Sequence, residues 1–475
     1  MPPTFLDLDD EIILQIGDIL HRDNEVPLPS FEPHWAGFEH SINPEIQKDS
    51  LSLRATCSRI KGLLSVKDLH IVTRQWSDIV LWNQECPSTV KQAVKRAIID
   101  IPPEVGPLYY HWDEDHDLQE KDYEQILSVW TTLITFLSGL ISLEELIIIE
   151  SPLCRHFPSI NIREHCLIPL DDILPALKSL AIECACMDCS AELPRLLIPT
   201  IPELQHLKIV HTYFEHLTSI SANEEWLSRH PDKAFIPVET LAVKHRPNDV
   251  DPTNERPVME DVLTCFPGIE ELYITGHTEE NNTPPQPTFI LGATRKPADG
   301  LGEERWRFKP ISEVEFDENG CYDWDVSTSG EDGEWLLTLD SLGAFKQLEV
   351  LDGVIEIVLP TRTGRLPEEG YSAGGTEYMS QRDDARSCFL QRETSVEEMI
   401  EAMRAAAREM VDHVPSLRKG YFWQWPYSEQ DGEAELKWKR WTWTVSQGGR
   451  IEVDMNMEEI AVDNTKSLDG EQLRN

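Results

Sequence analysis

The sequence predicts an α/β fold in which a short N-terminal helical module precedes an irregular solenoid of strands and helices. A short apolar pattern recurs along much of the 475-residue chain, and segments with helical periodicity precede several of its copies. Ahead of the repeats, two further segments carry apolar residues at helical spacing. We therefore expect a helical module over residues 1–65, a repeat domain over 66–455 and a polar tail over 456–475.

The predicted module consists of two helices and an insertion between them. The first helix is expected over 8–21, because the acidic residues 9–11 complement the positive end of a helix dipole. Four prolines exclude a helix across the insertion at 24–48, after which Asp49 or Ser50 can cap the second helix. The apolar stripes of the two helices are Ile12, Ile16, Ile19 and Leu20, and Leu53, Cys57, Ile60 and Leu64.

The repeat is a six-residue pattern with apolar residues at its first, fourth and sixth positions. The period-2 spacing of its second half predicts a short strand. From residue 143 to residue 269, successive copies begin 34, 27, 34 and 31 residues apart, which suits a unit of one strand and one helix that stacks on its neighbours. The copies lie at 66–71, 143–148, 177–182, 204–209, 238–243 and 269–274, with a later copy at 348–353. Helices are predicted before some copies, at 126–140, 222–230 and 259–266.

Two insertions and a distinct C-terminal segment interrupt this regularity. Proline and glycine content predicts long loops at 276–310 and 360–393. A helix is expected over 394–413, since Thr394 and Glu397 form a capping box. A glycine pair at 448–449 predicts a hairpin turn. The aromatic residues before it are expected to close the end of the solenoid, with a ligand cage as the alternative: Trp423, Trp425, Trp438, Trp441 and Trp443.

The charge of the chain restricts its partners. A formal net charge of −43 repels nucleic-acid phosphate and anionic lipid, so we expect neither nucleic acid nor a membrane surface as partner. A protein partner steered by this field is basic. The uncharged stretch at 126–143 contains apolar residues at helical spacing, which indicates a buried helix rather than a membrane span. No secretory signal is visible, which predicts a cytoplasmic or nuclear location.

The two predicted helices of the N-terminal module contain the motifs LDDEIILQI at residues 8–16 and DSLSLRATCSR at residues 49–59. They resemble the two halves of the F-box, in which the family has Leu-Pro-x-Glu-apolar-apolar-x-x-Ile and Asp-Leu-x-x-Leu-Arg-x-x-Cys-Arg. Asp9 replaces the usual proline, and the insertion at 24–48 separates the halves. The pattern that follows is similar to the leucine-rich-repeat bodies that often accompany an F-box.

The resemblance implies a substrate adaptor of a Skp1-cullin-F-box ubiquitin ligase complex in the Ubl conjugation pathway. A Skp1-type adaptor would bind the N-terminal helices and link them to a cullin, and the repeat body would bind an unidentified protein substrate. The alternative is a leucine-rich-repeat-like protein-interaction scaffold without a ubiquitin role, whose N-terminal helices cap the first repeat. The partner-docking positions that match the family are Leu8, Glu11, Ile12, Ile16, Leu51, Leu53, Cys57 and Ile60.

The variable positions of the strands are the candidate substrate-binding residues. In a solenoid they face outward on the concave side. They form either a surface for a basic peptide or a solvated face of an acidic protein. These positions include Glu144, Glu145, Lys178, His206, Lys208, Glu239, Glu270, Glu271, Tyr273 and Glu349.

Neither a metal nor another cofactor is expected. Cys184, Cys186 and Cys189 form the most metal-like cluster, but they lack a second Cys-x-x-Cys pair, and Cys184 and Cys186 follow a strand where small residues pack. Nucleotide-binding, zinc-protease and serine-hydrolase motifs are missing from the sequence. We therefore expect a non-catalytic adaptor, whereas an enzyme would need a deep pocket with convergent polar groups.

Overall fold

In the computed structural model, the chain forms two compact units, Met1–Ala242 and Val243–Asn475. Both units contain helices and mainly parallel or mixed sheet, so the predicted α/β class is confirmed. The described residues are 9–22, 68–102, 106–107, 120–153, 173–184, 187–212, 226–245, 262–263, 265–276, 289–297, 304–310, 315–316, 322–323, 342–359, 396–424, 437–446 and 451–461.

The first unit contains helices α1 to α5 and strands β1 to β5, and β6 begins in it. The helices are α1 (Asp10–Arg22), α2 (Trp76–Glu85), α3 (Ser88–Lys91), α4 (Glu120–Ser138) and α5 (Met187–Leu197), followed by a 3-10 turn at Ile198–Thr200. The strands are β1 (Leu69–Thr73), β2 (Val94–Asp100), β3 (Glu145–Glu150), β4 (Ser179–Ile182), β5 (His206–Thr212) and β6 (Thr240–His245).

The strands of this unit lie side by side in chain order, and β1 to β5 are parallel. Every described copy of the repeat pattern in the unit forms one of these strands, which confirms the predicted strands. β2 was not predicted, because Ala97 stands where the pattern has a large apolar residue. Ala97 is fully buried between β1 and β3.

A recurring backbone hydrogen-bond motif fixes the starts of β4, β5 and β6. The carbonyl of Glu144 accepts bonds from two successive amides, those of Lys178 and Ser179, at 2.9 and 3.1 Å. The Lys178 carbonyl accepts from Gln205 and His206 in the same way, and the Gln205 carbonyl accepts from Glu239 and Thr240. The residue before the strand thus satisfies two backbone donors of the following copy, which holds successive copies in one register.

Helix α4 covers residues 126–138 of the uncharged stretch. The apolar stripe predicted for it is buried, with Trp130 and Leu137 fully buried among its members. Trp82 of α2 meets Phe136 edge to face at 6.3 Å, and the Asn83 side chain donates to the Thr132 carbonyl at 2.9 Å. The described helices include none long and apolar enough to cross a membrane.

The second unit contains helix α6 and strands β7 to β15. Its strands are β7 (Glu271–Gly276), β8 (Phe289–Pro297), β9 (Glu304–Pro310), β10 (Glu315–Phe316), β11 (Tyr322–Asp323), β12 (Val350–Val358), β13 (Lys419–Gln424), β14 (Lys437–Val445) and β15 (Ile451–Ala461), and α6 is Val396–His413. The main sheet has the order β7-β12-β13-β14-β15, and β10 forms a two-stranded sheet with β11. β7, β12 and β13 are parallel, whereas β13, β14 and β15 are antiparallel.

Four predictions for this unit can be compared with the structure. The helix expected over 394–413 and the hairpin at 448–449 are confirmed by α6 and by the β14–β15 pair. The loop predicted at 276–310 is wrong for part of its length, because β8 and β9 pair there and β8 extends the sheet beside β12. The polar tail predicted from 456 is also wrong at its start, since β15 continues to Ala461.

Candidate functional site

The first candidate site is the exposed side of α1. Asp10 and Glu11 occupy its first turn, and the Asp9 carbonyl accepts from the amides of Ile12 and Ile13. Ile13 is fully buried, whereas the side chain of Ile12 is 42% exposed. The helix therefore packs through one face and leaves the face that contains Ile12 partly open.

The structure brings together some of the predicted docking residues. Ile12 and Ile16 lie one turn apart on α1, with Ile16 half-buried, and Glu11 is exposed beside them. The other predicted docking residues lie outside the described residues: Leu8, Leu51, Leu53, Cys57 and Ile60.

The second candidate site comprises the residues that immediately precede the strands. Glu144 lies between two lysines, since its Oε1 contacts Lys95 Nζ and its Oε2 is 3.6 Å from Lys178 Nζ. Glu239 and Glu270 are exposed at the corresponding positions of later copies. Glu239 and Glu270 face solvent as predicted, whereas Glu144 is half-buried, and its ion pairs with the two lysines are of the screened surface kind.

The variable positions inside the strands of the first unit were predicted to face solvent, but two of them are buried. The side chains of Arg96 and Glu145 are neighbours in the β2–β3 register and form an ion pair with both partners nearly fully buried. Lys208 is buried as well, and its Nζ lies 2.8 Å from Oε1 of buried Glu183. The prediction of an outward-facing substrate surface is therefore wrong for Glu145 and Lys208.

The reason is that this parallel sheet is buried on both faces. On one face of the sheet, a polar row runs across the strands through Arg96, Glu145, Ser179 and His206. In the next row, Ile98, Ile147 and Ala181 are buried, and Val72 packs against them. A buried charge is tolerated only when it is paired, and each described acid on this face has a basic neighbour. His206 is half-buried and lies in register with Ser179 at the end of the polar row.

A third candidate site lies on the sheet of the second unit, and two predicted residues belong to it. Tyr273 donates a hydrogen bond of 3.2 Å to Glu271 Oε2 on the same strand. Glu271 is half-buried, but Tyr273 is only 8% exposed, so the prediction that Tyr273 faces outward is wrong. Tyr273 lies in register with buried Asp352 of β12.

Asp352 connects this strand pair to an aromatic group on β13 and β14. Trp423 Nε1 donates a hydrogen bond of 2.8 Å to Asp352 Oδ1, and Arg440 Nη1 lies 4.0 Å from Asp352 Oδ2. The Arg440 guanidinium also lies over the rings of Tyr421 and Trp423, at 4.7 and 5.7 Å from their centroids. We call Asp352, Tyr421, Trp423 and Arg440 the Arg440 cluster.

Burial and neighbouring negative charge determine the protonation of Tyr273. Desolvation raises the pKa of its hydroxyl, and the charges of Glu271 and Asp352 raise it further. The hydroxyl therefore stays protonated and remains a hydrogen-bond donor to Glu271. The Arg440 cluster offers ring faces and a carboxylate, which are groups used in cation and peptide recognition.

No protein-family model matches the chain, and a search of curated proteins finds no similar sequence. The assignment of a function to these sites therefore depends on their own chemistry and on the N-terminal sequence motif.

Sequence reasoning missed most of the Arg440 cluster. Trp423 was noted within an aromatic segment for which a ligand cage was one alternative, but Asp352, Tyr421 and Arg440 were not nominated. The signal that could have found them is period-2 alternation along β13 and β14, which places Tyr421 and Trp423 on the same face of the sheet.

The metal alternative falls mostly outside the described residues. Cys184 is buried at the end of β4, while nothing is described of Cys186 or of the side chain of Cys189. Among the residues that the structure describes, no group of three or more histidine, cysteine, aspartate or glutamate side chains is arranged to hold a metal ion.

Proposed function

We propose that this protein is the substrate-recognition adaptor of a Skp1-cullin-F-box ubiquitin ligase. The N-terminal helices dock onto a Skp1-type adaptor, and the repeat body holds the substrate near the ubiquitin-charged enzyme of the complex. The chain contributes proximity and not chemistry. It holds a substrate lysine near the ubiquitin-charged enzyme, which makes a bimolecular reaction effectively unimolecular.

The observation that carries the proposal is the division of α1 into a packed face and an open face. Within the family motif at 8–16, Ile12 is a matched apolar position, and it is the one left 42% exposed while adjacent Ile13 is buried. An apolar stripe that remains in water on a folded protein supports a helix that completes its packing against a partner.

The repeated backbone motif supports the second half of the proposal. The same two-amide arrangement seen at Glu144 recurs in the second unit, where the Glu270 carbonyl accepts from Glu349 and Val350, and the Glu349 carbonyl accepts from Arg418 and Lys419. Equivalent geometry at successive copies is what a leucine-rich-repeat-like body requires, since each copy is positioned by its predecessor.

The alternative is a repeat scaffold without a ubiquitin role, and burial of Ile13 is the observation that favours it. A helix that only caps the first repeat would use its apolar residues internally. Binding to a Skp1-type adaptor separates the two functions, because the scaffold has no reason to bind it.

The test is a pull-down of the purified full-length chain with a Skp1-type adaptor, beside a Leu8→Asp/Leu53→Asp double variant. We expect the wild type to be retained and the double variant to be lost, while circular dichroism shows that the variant is still folded. Failure of the folded wild type to bind would reject the ligase function and favour the scaffold.

A further inference from the structure

The hairpin of β8 and β9 has the opposite charge to the rest of the chain. Its two strands contain one acidic residue, Glu304, and five basic ones, which are Arg295, Lys296, Arg305, Arg307 and Lys309. The whole chain has a formal net charge of −43. Charges farther away than the Debye length of about 8 Å are largely screened at physiological ionic strength, so the hairpin's own charge determines what binds at its surface.

The register of the hairpin places most of these basic residues on one face. Arg305, Arg307 and Lys309 occupy alternate positions of β9, and alternate positions of a strand belong to the same face. Lys296 of β8 is the register partner of Arg305 and belongs to that face as well. We call Lys296, Arg305, Arg307 and Lys309 the basic face of the hairpin.

The opposite face of the hairpin is the packed one. Trp306 and Phe308 alternate with the basic residues of β9 and are half-buried, and Ala293, the register partner of Phe308, is 2% exposed. On the adjoining strand β12, Ile355 and Ile357 are buried in register with β8. The apolar side therefore holds the hairpin on the sheet, and this packing does not use the basic face.

β9 is also an edge strand among the strands that the structure describes. Of these strands, β8 is the one that pairs with it, and the next two strands along the chain, β10 and β11, form their own sheet. The outer edge of such a strand presents backbone N–H and C=O groups to which an extended segment can add. The edge and most of the basic face therefore belong to the same strand.

The spacing of the basic residues selects the charge pattern of an added strand. Alternate residues of a strand are about 6.8 Å apart. An added strand repeats this spacing, so acidic residues at its alternate positions would each lie beside one of Arg305, Arg307 and Lys309. Opposite charges at such neighbouring positions are favourable, whereas like charges are unfavourable. A second copy of β9 would bring like charges together, so the edge favours an acidic segment over another copy of this chain.

We propose that the outer edge of β9 binds an extended acidic segment of a protein substrate by strand addition. Backbone hydrogen bonds hold the segment, and its alternate carboxylates pair with the basic face. The net charge alone predicted a basic partner, whereas the local charge of the hairpin favours an acidic one at this edge. The proposal rests on the proposed adaptor function for the role of the bound protein as a substrate.

Fluorescence anisotropy of two labelled peptides with the full-length chain tests the proposal. The peptides are TETETET, whose three glutamates alternate, and TTEEETT, which has the same composition and charge. TETETET should bind about threefold or more tightly than TTEEETT, because only the alternating peptide brings three carboxylates to one face of a strand. The double variant Arg305→Gln/Arg307→Gln should bind TETETET about fivefold or more weakly than the wild type, since two of the paired charges are missing.

Arg404→Gln/Arg408→Gln is the matched control variant. It also removes two arginines from the second unit, but both are exposed on helix α6 and lie outside the hairpin. It should bind TETETET as the wild type does. Circular dichroism checks that each variant is folded. If the double variant of β9 does not fold, the single variant Arg307→Gln is used instead, and about twofold or more weakening is expected.

Equal affinity of the wild type for the two peptides would overturn strand addition, and equal weakening by the β9 variant and the α6 control would overturn the hairpin as the site. Tighter binding of a single-stranded oligonucleotide, or self-association that the β9 substitutions abolish, would assign the edge to another occupant and also overturn the proposal. The titration contains no Skp1-type adaptor. Its failure would therefore leave docking through α1 unaffected, and loss of docking would leave the peptide site unaffected.

Discussion

The indole ring of Trp443 lies directly over the Cα atom of Gly420 on the neighbouring strand. The two residues are partners in the antiparallel β13–β14 register, and a Cβ atom on residue 420 would lie 2.8 Å from the indole Nε1 and closer to two ring carbons. Trp443 is buried and stacks with Phe422 at a centroid separation of 6.2 Å. Glycine at position 420 therefore provides the space in which this ring packs.

Gly420→Ala should lower the free energy of unfolding by about 1–3 kcal/mol, because overpacking forces the indole out of its position. Urea unfolding followed by circular dichroism measures this loss. In a Trp443→Phe background, where the clashing indole atoms are missing, Gly420→Ala should be much less harmful. An equal loss in both backgrounds would show that the contact between the two residues is not the cause.

The buried Arg96–Glu145 pair predicts a second stability effect. Glu145→Leu leaves the Arg96 charge buried without its partner, which should cost about 3–5 kcal/mol in unfolding free energy. Replacing both residues, as Arg96→Met/Glu145→Leu, should restore most of that loss, because no buried charge remains. Urea titrations of the two single variants and the double variant give the coupling energy.

The adjacent Glu144 is the control for this prediction. It has the same side chain one position earlier, but its lysine partners are partly exposed, so Glu144→Leu should cost about 1 kcal/mol or less. Similar losses for Glu144→Leu and Glu145→Leu would contradict the assignment of a buried and a surface ion pair.

Alkaline pH should destabilise the protein partly through Tyr273. The folded state holds the pKa of this hydroxyl above its ordinary value of 10.0, so the unfolded state ionises first as the pH rises. The stability that depends on protonated Tyr273 is complete below that value and declines above it. Unfolding free energies at successive pH values from 8 to 11 should fall less steeply in Tyr273→Phe than in the wild type; parallel curves would refute the assignment.

The strands of the repeat were the most predictable part of the fold. Their apolar residues recur at a spacing that a single chain segment displays, so copies such as 143–148 and 204–209 could be placed correctly as β3 and β5. β8 and β9 were missed because the prolines and glycines around them indicate a loop. Their pairing with each other and of β8 with β12 stabilises them as strands.

The burial of the candidate substrate residues could not be predicted from local sequence. Glu145 and Lys208 have the charge of surface residues, and their partners Arg96 and Glu183 lie 49 and 25 residues earlier in the chain. Only the pairing of neighbouring strands brings each pair together. The same holds for Trp423 and Asp352, which are 71 residues apart. Local patterns specify elements, whereas the polar interior depends on tertiary contacts.

We propose that the open face of α1 docks onto a Skp1-type adaptor, and two of its exposed residues allow a direct test. Ile12 and Leu14 provide a matched comparison, because they are 42% and 40% exposed but lie about 200° apart around the helix. Of these two residues, only Ile12 matches an apolar position of the motif. The decisive measurement is the Kd of the adaptor for the wild type, Ile12→Asp and Leu14→Asp.

We predict that Ile12→Asp weakens binding by about tenfold or more, as expected for a buried apolar anchor, whereas Leu14→Asp changes it by about twofold or less. Equal weakening by the two substitutions, or no binding by the folded wild-type chain, would contradict docking through the Ile12 face of α1.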